Sequence, residues 1–319
     1  MSRLLGILAV VVLLYSTVLL SDPTARSLEN HRNLAQRIGA EGILALGAGL
    51  LILAGGIDLS IGAVVGLAAV SFAILMERGF GAVASSLIIL ACAPLIGLFH
   101  GILVTKLRLQ PFLVTLCGLF IYRGLARWAT WTEQGSSRNV GIGQFDVGAV
   151  QFLADGKVFG VPAVFILLLG VALILAIVLE RTVYGRYLYA IGANEQAARY
   201  AGIPTDRYRI AAYMVCSLLA GLGGILYILE LETAAPANAG AWYELYAITA
   251  AVLGGCSLRG GEGTVAGILL GAAALPLLRN LCHFASVPSD LHFTVIGAVL
   301  LLGTIVDEIL KRRSAKRSS

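Results

Sequence analysis

The sequence predicts an all-α, polytopic membrane protein of about ten transmembrane helices, with a candidate internal pseudo-repeat. Three observations carry that reading. Hydrophobic residues make up 58% of the chain and charged residues 13%, with a mean hydropathy of +0.89, whereas an ordinary soluble domain carries about 25% charged residues. Apolar runs recur from residue 4 to residue 310 without a polar half, so residues 1–319 read as a single membrane domain. Related glycine-rich phrases interrupt two apolar stretches.

A helix that crosses the hydrocarbon needs roughly 20 apolar residues, because about 30 Å must be covered with every backbone polar group satisfied internally. The runs 4–20, 83–104, 112–130, 163–179, 210–229, 264–283 and 291–309 qualify. Three shorter runs, 42–54, 61–76 and 243–257, complete the set, the first two joined by Gly55 to Ser60. The first run follows Arg3 as a signal sequence does. It is long for a signal core, and Ser21-Asp22-Pro23-Thr24-Ala25-Arg26 is a poor cleavage site, so an uncleaved anchor is expected.

Charge sets the orientation. The net charge of +5 owes much to the terminal cluster Lys311, Arg312, Arg313, Lys316 and Arg317, which reads as a cytoplasmic anchor beside a membrane lipid surface and not as a nucleic-acid site. Basic flanks stay inside, which places residues 181–209, with Arg181, Arg186, Arg199, Arg207 and Arg209, in the cytoplasm. An even number of spans then puts both termini there too, with Lys106 and Arg108. Arg26, Arg32 and Arg37 fall on the outer side and run against the rule; a surface helix is the expectation for their segment. Residues 132–162, the longest polar interruption, face outward, and Trp128, Trp131 and Trp242 sit near span ends as an interfacial belt does.

The five cysteines, Cys92, Cys117, Cys216, Cys256 and Cys282, lack zinc or disulfide spacing and read as small buried hydrophobes. No metal and no cofactor is expected. Small residues at four-residue intervals, Gly62 with Gly66, Gly97 with Gly101, and Gly263 with Gly267 and Gly271, read as helix-packing stripes.

The interrupting phrases are Gly55-Gly56-Ile57-Asp58-Leu59-Ser60-Ile61-Gly62 and Gly254-Gly255-Cys256-Ser257-Leu258-Arg259-Gly260-Gly261, sharing G-G-x-x-L-x-x-G. Corresponding glycine-interrupted spans in two halves point to repeat architecture in transporters, with broken-helix ends near the pathway; a structural hinge and chance similarity remain open beside it. Asp58 at membrane depth must find partners or water. It reads either as a pathway or gate residue or as a cap, with Ser60, for the helix that resumes. Arg123, Arg127, Glu230, Glu232 and Glu244 fall near span ends, where snorkelling makes charge cheap.

Residues 181–204, which end Gly192-Ala193-Asn194-Glu195-Gln196-Ala197-Ala198-Arg199-Tyr200-Ala201-Gly202-Ile203-Pro204, spell a capped short helix. Asn194 can accept from free amides, Glu195 complements the dipole, Gly202 can close left-handed and Pro204 forbids continuation. A helix of about seven residues does not persist in water alone. It needs tertiary or partner contacts, and Ala197, Ala198 and Ala201 give it a shallow face. An ordinary loop helix lying on the membrane is the other reading.

At these residues the chain resembles the permeases of ABC importers for ribose, xylose, arabinose, galactose and related small molecules. The resemblance spans almost the whole chain: Ile43 to Gly62; Gln110-Pro111-Phe112-Leu113-Val114-Thr115-Leu116 to Tyr122-Arg123-Gly124; Gly185-Arg186-Tyr187 to Gly202; and Glu244-Leu245, Ala247-Ile248, Gly254-Gly255 and Ser257-Leu258. It implies an all-helical subunit that pairs with a second copy or a paralogue around a central pathway. ABC ATPase subunits lie below and a periplasmic sugar-binding protein docks above. It further implies an ATPase-coupling role for Gly185, Arg186, Gly192, Asn194, Glu195, Ala197, Ala198 and Gly202, and a pathway or gate role for Gly55, Gly56, Asp58, Ser60, Gly254, Gly255 and Ser257. Thr249, Arg259 and Pro276 depart from the pattern.

No enzyme motif competes. There is no G-x-x-x-x-G-K-[ST] phosphate loop, so another chain must hydrolyse ATP; Gly156-Lys157 is followed by Val158. His31, His100, His283 and His292 show no ligand spacing. The rivals are a branched-chain amino acid permease of the same architecture and an ion-coupled secondary transporter using Asp58.

Overall fold

The computed structural model of the chain describes residues 2–292, 294–298 and 301. In chain order the helices are α1 (Ser2–Ser21), α2 (Leu28–Leu53), α3 (Ile61–Glu77), α4 (Ala82–Thr105), α5 (Pro111–Ala129), the short α6 (Phe152–Asp155), α7 (Ala163–Arg181), α8 (Val183–Ala193), α9 (Glu195–Tyr200), α10 (Thr205–Leu231), α11 (Tyr243–Leu253) and α12 (Val265–Phe284). Among the described residues, strands are confined to β1 (Val140–Gly141), β2 (Lys157–Val158), β3 (Val161–Pro162) and β4 (Thr233–Ala234). Seven helices among the described residues are long and apolar enough to cross a membrane. The expected span 291–309 lies largely outside the described residues, and the basic tail wholly so.

Burial sorts the helices into two layers. The most apolar windows of α2 and α10 are each 72% buried, against 6% for α1. α2 and α10 therefore form the core, with α3, α11 and α12 packed on them, while α1, α4, α5 and α7 present apolar faces outward, as lipid contact requires. Local chemistry sets the helix starts. Ser27 Oγ accepts from Asn30 N at 3.1 Å to open α2, Thr264 Oγ1 accepts from Gly267 N at 3.0 Å to open α12, and Pro111 opens α5.

Three expectations change. The short run 42–54 is the second half of α2, a single 26-residue helix, so Arg32 and Arg37 belong to a membrane helix and not to a surface one. Arg32 Nε donates to the Gly160 carbonyl at 3.1 Å, and Arg26, in the turn Pro23–Arg26, donates from Nε to the Leu19 carbonyl at 2.8 Å. Run 243–257 shortens to α11, whose 11 residues cover only about 16 Å at 1.5 Å per residue. The missing height is taken by a non-helical run of turns, in which Ala239 N donates to the Ala235 carbonyl (2.8 Å) and Ala241 N to the Asn238 carbonyl (2.9 Å). Ala234 pairs with Val140 at one end of the bundle, and residues 235–240 then run along α3 until the Gly240 carbonyl meets Gly62. From Glu77 to Gly62 is about 22 Å of helix.

The glycine stripes explain that path. Gly97 and Gly101 receive the backbone of α10, and Gly267 and Gly271 receive α11, as packing stripes do. Gly62 and Gly66 accept no helix; they accept the Gly240 and Ala239 carbonyls of that run of turns. Of the cysteines, Cys216, Cys256 and Cys282 are buried as expected, while Cys92 and Cys117 are exposed on α4 and α5.

A methyl added at Gly62 overlaps both the Gly240 carbonyl and the Glu244 carboxylate. Gly62→Ala is expected to cost about 1–3 kcal/mol, read as a lower unfolding midpoint in detergent. Gly124→Ala, where an added methyl meets nothing within 4 Å, is expected to hold or raise that midpoint.

Candidate functional site

Both helix breaks close in the same way. At the end of α2, Gly55 N donates to the Ile52 carbonyl (2.9 Å) and Gly56 N to the Leu51 carbonyl (3.0 Å). At the end of α11, Gly255 N donates to the Val252 carbonyl (2.9 Å) and Cys256 N to the Ala251 carbonyl (3.0 Å). Each is a Schellman cap around one left-handed glycine, Gly55 at φ +74° and Gly255 at φ +90°. The same closure also ends α3 at Gly79 and α9 at Gly202, so the caps alone do not make a repeat; aligned on the caps, Gly55 corresponds to Gly255 and Ala54 to Gly254, one position off the shared G-G-x-x-L-x-x-G.

The breaks are also tied to each other and to the 181–204 segment. Gly261 N donates to the Leu53 carbonyl at 3.0 Å, joining the second break to the end of α2. Gly192, in the last turn of α8, lies so close that an added methyl would overlap the same Leu53 carbonyl, and a methyl on Gly260 would lie 2.7 Å from the Gly192 carbonyl oxygen and 2.9 Å from Gly55 Cα. Tyr189 Oη donates to the Gly263 carbonyl at 2.9 Å. Backbone from both breaks and from α8 therefore meets at one point. In the second break, Ser257 Oγ accepts from Arg259 N at 3.3 Å and Ser257 N donates to the Glu262 carbonyl at 3.0 Å.

Residues 181–204 hold two helices where one was expected. α8 opens with Thr182 Oγ1 accepting from Gly185 N at 3.4 Å, and Gly185 is buried against the Leu179 backbone. α9 opens with Asn194 Oδ1 accepting from Ala197 N at 2.9 Å and closes before Gly202 at φ +82°. Glu195 pairs with Arg199 (3.0 Å) and Arg209 (2.6 Å); Arg199 pairs with Asp206 (2.9 Å), and Asp206 with Lys106 (2.8 Å). This chain of charges pins the six-residue helix to α10 and to the end of α4. The expected alanine face divides, because Ala198 is buried against the chain while Ala197 and Ala201 are exposed, as are Arg186 and Asn194. Tyr200, which the alanine pattern did not single out, is 92% exposed. Burial pushes the Tyr184 phenol up, so it stays a hydrogen-bond donor, reaching the Tyr208 carbonyl at 3.3 Å.

Asp58 is 2% exposed, and its Oδ1 accepts from Ser60 N (2.7 Å) and Ser60 Oγ (2.6 Å). Ser60 stands at the N-cap of α3 but makes no cap bond of its own, so the carboxylate ties the turn. The sequence did not reveal its neighbours. His100 of α4 is 1% exposed with Nδ1 at 3.9 Å from Asp58 Oδ2, and Tyr122 Oη lies 2.9 Å from His100 Nε2. Their separation of tens of residues hides them from any spacing rule. Glu244 and Arg123 are likewise not snorkelling end residues. Glu244 is 7% exposed with its carboxylate at Gly62, while the Arg123 guanidinium lies at Gly66, one turn along α3, and donates to the Ala239 carbonyl. Trp128 and Trp131 are exposed at the end of α5, but Trp242, also exposed, heads α11 inside the bundle at φ +70°.

Residues 32–303 match the family described as "branched-chain amino acid transport system / permease component". The ribose import permease protein RbsC of Escherichia coli K12 is 35% identical over 301 residues, 94% of this chain and 91% of that protein. RbsC of Bacillus subtilis strain 168 is 33% identical over 278 residues, 87% of this chain and 84% of that protein. The autoinducer 2 import system permease protein LsrC of Yersinia pseudotuberculosis serotype O:3 is 35% identical over 272 residues, 84% of this chain and 74% of that protein. No solved structure matches the chain. A family match over most of the length, on a bundle with seven membrane-length helices, shows that this multi-pass inner-membrane protein belongs to the family of ABC-importer permease components.

Proposed function

We propose that the chain carries a monosaccharide or related small sugar across the inner membrane, and that α9 is the helix through which a separate ATPase subunit drives it. The observation that carries this reading is mechanical. α9 is short, capped, exposed on one side and locked by ion pairs on the other, and α8 leads from it to the junction of both helix breaks. A force applied at Tyr200 and Ala197 reaches Gly192, and through it the Leu53 carbonyl and Gly261, without passing through flexible chain. Broken helices of this kind lie near pathways in transporters. On this reading Gly55, Gly56, Asp58, Ser60, Gly254, Gly255 and Ser257 form the gate that moves, and Gly185 and Gly202 bound the segment that moves it.

The α9 end of the bundle is assigned to the cytoplasm, together with both termini, and residues 132–162 to the outer face, where a periplasmic sugar-binding protein docks. A second copy or a paralogue completes the pathway. Sugar is the favoured cargo because the relatives are named for ribose and autoinducer 2. The family description names branched-chain amino acids, which keeps them as the second reading.

Reconstituting the chain in vesicles with its ATPase and binding protein tests the whole. Sugar uptake is expected only with both partners and ATP; uptake by the chain alone would identify a self-sufficient transporter, and uptake of leucine in place of sugar would favour the second reading. In that system Glu195→Lys, which sets a cation against Arg199 and Arg209, is expected to abolish uptake while ATP hydrolysis and membrane insertion persist. Normal uptake in this variant refutes the coupling role.

Tyr200→Ala is expected to weaken ATPase binding by about 2 kcal/mol, roughly thirtyfold in affinity, as for an exposed aromatic anchor. Retention of the ATPase on the immobilised chain, measured by titration in detergent, checks this. A cysteine placed at Tyr200 is expected to react with an impermeant maleimide only after the membrane is opened.

A further inference from the structure

Within the first break, the bonding of Asp58 is half complete. Oδ1 holds Ser60 through two bonds, whereas Oδ2 looks across 3.9 Å to His100 Nδ1, about 1 Å beyond a hydrogen bond. His100 Nδ1 is buried with no hydrogen-bond partner among the described residues, and so is the Tyr213 hydroxyl. The imidazole is held from two other sides. Tyr122 Oη engages Nε2, with the rings tilted at 5.5 Å, and the Tyr213 ring meets the imidazole edge-on at 6.4 Å. Tyr213 Oη also stands at Gly56, 3.2 Å from where a methyl there would lie. A neutral imidazole that accepts from Tyr122 at Nε2 carries its proton on Nδ1, aimed at Asp58.

We propose that His100 is the positioning residue of the first break. Its Nδ1–H bonds Asp58 Oδ2 in one arrangement of the Gly55–Ser60 turn and releases it in the other, so that α4 keys the turn to two discrete positions. The physical ground is that a buried imidazole N–H without an acceptor is costly. A charge-assisted bond closing the gap stabilises one arrangement of an otherwise free glycine turn. A shift of about 1 Å suffices. The same turn is the one that Gly260 and Gly192 touch, so movement of α8 and formation of the Asp58 bond act on one piece of backbone. This inference rests on the transport reading above and names the side chain that gives the gate its closed position.

Two amide variants separate the role from mere filling of space. His100→Asn places its amide donor where Nδ1 was and loses the contact to Tyr122; His100→Gln keeps a group at the Nε2 position and loses the donor facing Asp58. Sugar taken up per ATP hydrolysed, in the reconstituted complex at equal loading, is expected to stay near wild type for His100→Asn. For His100→Gln it should fall about tenfold or more, within the usual range of coupling between sites. Asp58→Asn, which preserves shape and the Ser60 bonds, is expected to uncouple like His100→Gln. The proposal is overturned if His100→Gln transports normally, if the two amides fall alike, or if Asp58→Asn remains coupled, the last reading standing even where the His100 variants fail to assemble. Wild-type uptake is the control: its absence would count against the sugar-permease reading and not against the role of His100.

Discussion

A carbonyl left unpaired inside a bilayer costs several kcal/mol, and a helix that stops within the bundle leaves carbonyls exposed in this way. The Leu53 carbonyl, at the end of α2, accepts from Gly261 in the other half of the chain. That single bond permits two broken helices to end side by side, and it dictates much of the rest. The close approach of α8 to the same oxygen leaves room for glycine alone at 192, and the loop after α11 must turn through Gly260 and Gly261, both at positive φ. α8 thus meets the breaks chiefly by backbone packing, with the Tyr189 hydroxyl on the Gly263 carbonyl as a side-chain contact.

Two further sets of charges in the bundle serve a related need. Arg123 and Glu244 stand one turn apart along α3, against the run of turns that precedes the short α11. Non-helical backbone at that depth survives only inside protein, with donors supplied to its carbonyls. Arg123 supplies one to Ala239. Glu41 and Arg279 join α2 to α12 as an ion pair, and the Arg279 guanidinium lies 5.0 Å from the Tyr246 ring centroid, which draws α11 into the same contact. Charges that cost most in lipid are placed where irregular chain most needs partners.

Local chemistry made much of this legible in advance. Six of the seven long apolar runs matched helices to within five residues, the seventh, 291–309, lying largely outside the described residues, and the Asn194 cap, the left-handed Gly202 and the glycine breaks all follow from rules that act over four or five residues. What escaped depends on contacts distant in sequence. Residues 28–41 look too polar for lipid because Arg32 and Glu41 are satisfied by residues far along the chain, so α2 read as half its length. Glu244 looked like an end residue because nothing local in sequence ties its carboxylate to Gly62 of α3. Asp58 and His100 are 42 positions apart, and only the crossing of α4 over the first break unites them. The alignment of the two glycine phrases was off by one residue because glycine identity was compared where backbone handedness was the shared quantity.

The brevity of α11 bears on how the protein is made. A stretch of 11 residues preceded by turns is a poor substrate for the insertion machinery, which selects about 20 continuous apolar residues. Its sites on Gly62, Gly267 and Gly271 exist only once α3 and α12 are both in place. During synthesis α11 therefore enters last among its neighbours, folding into a niche that the finished helices have already built.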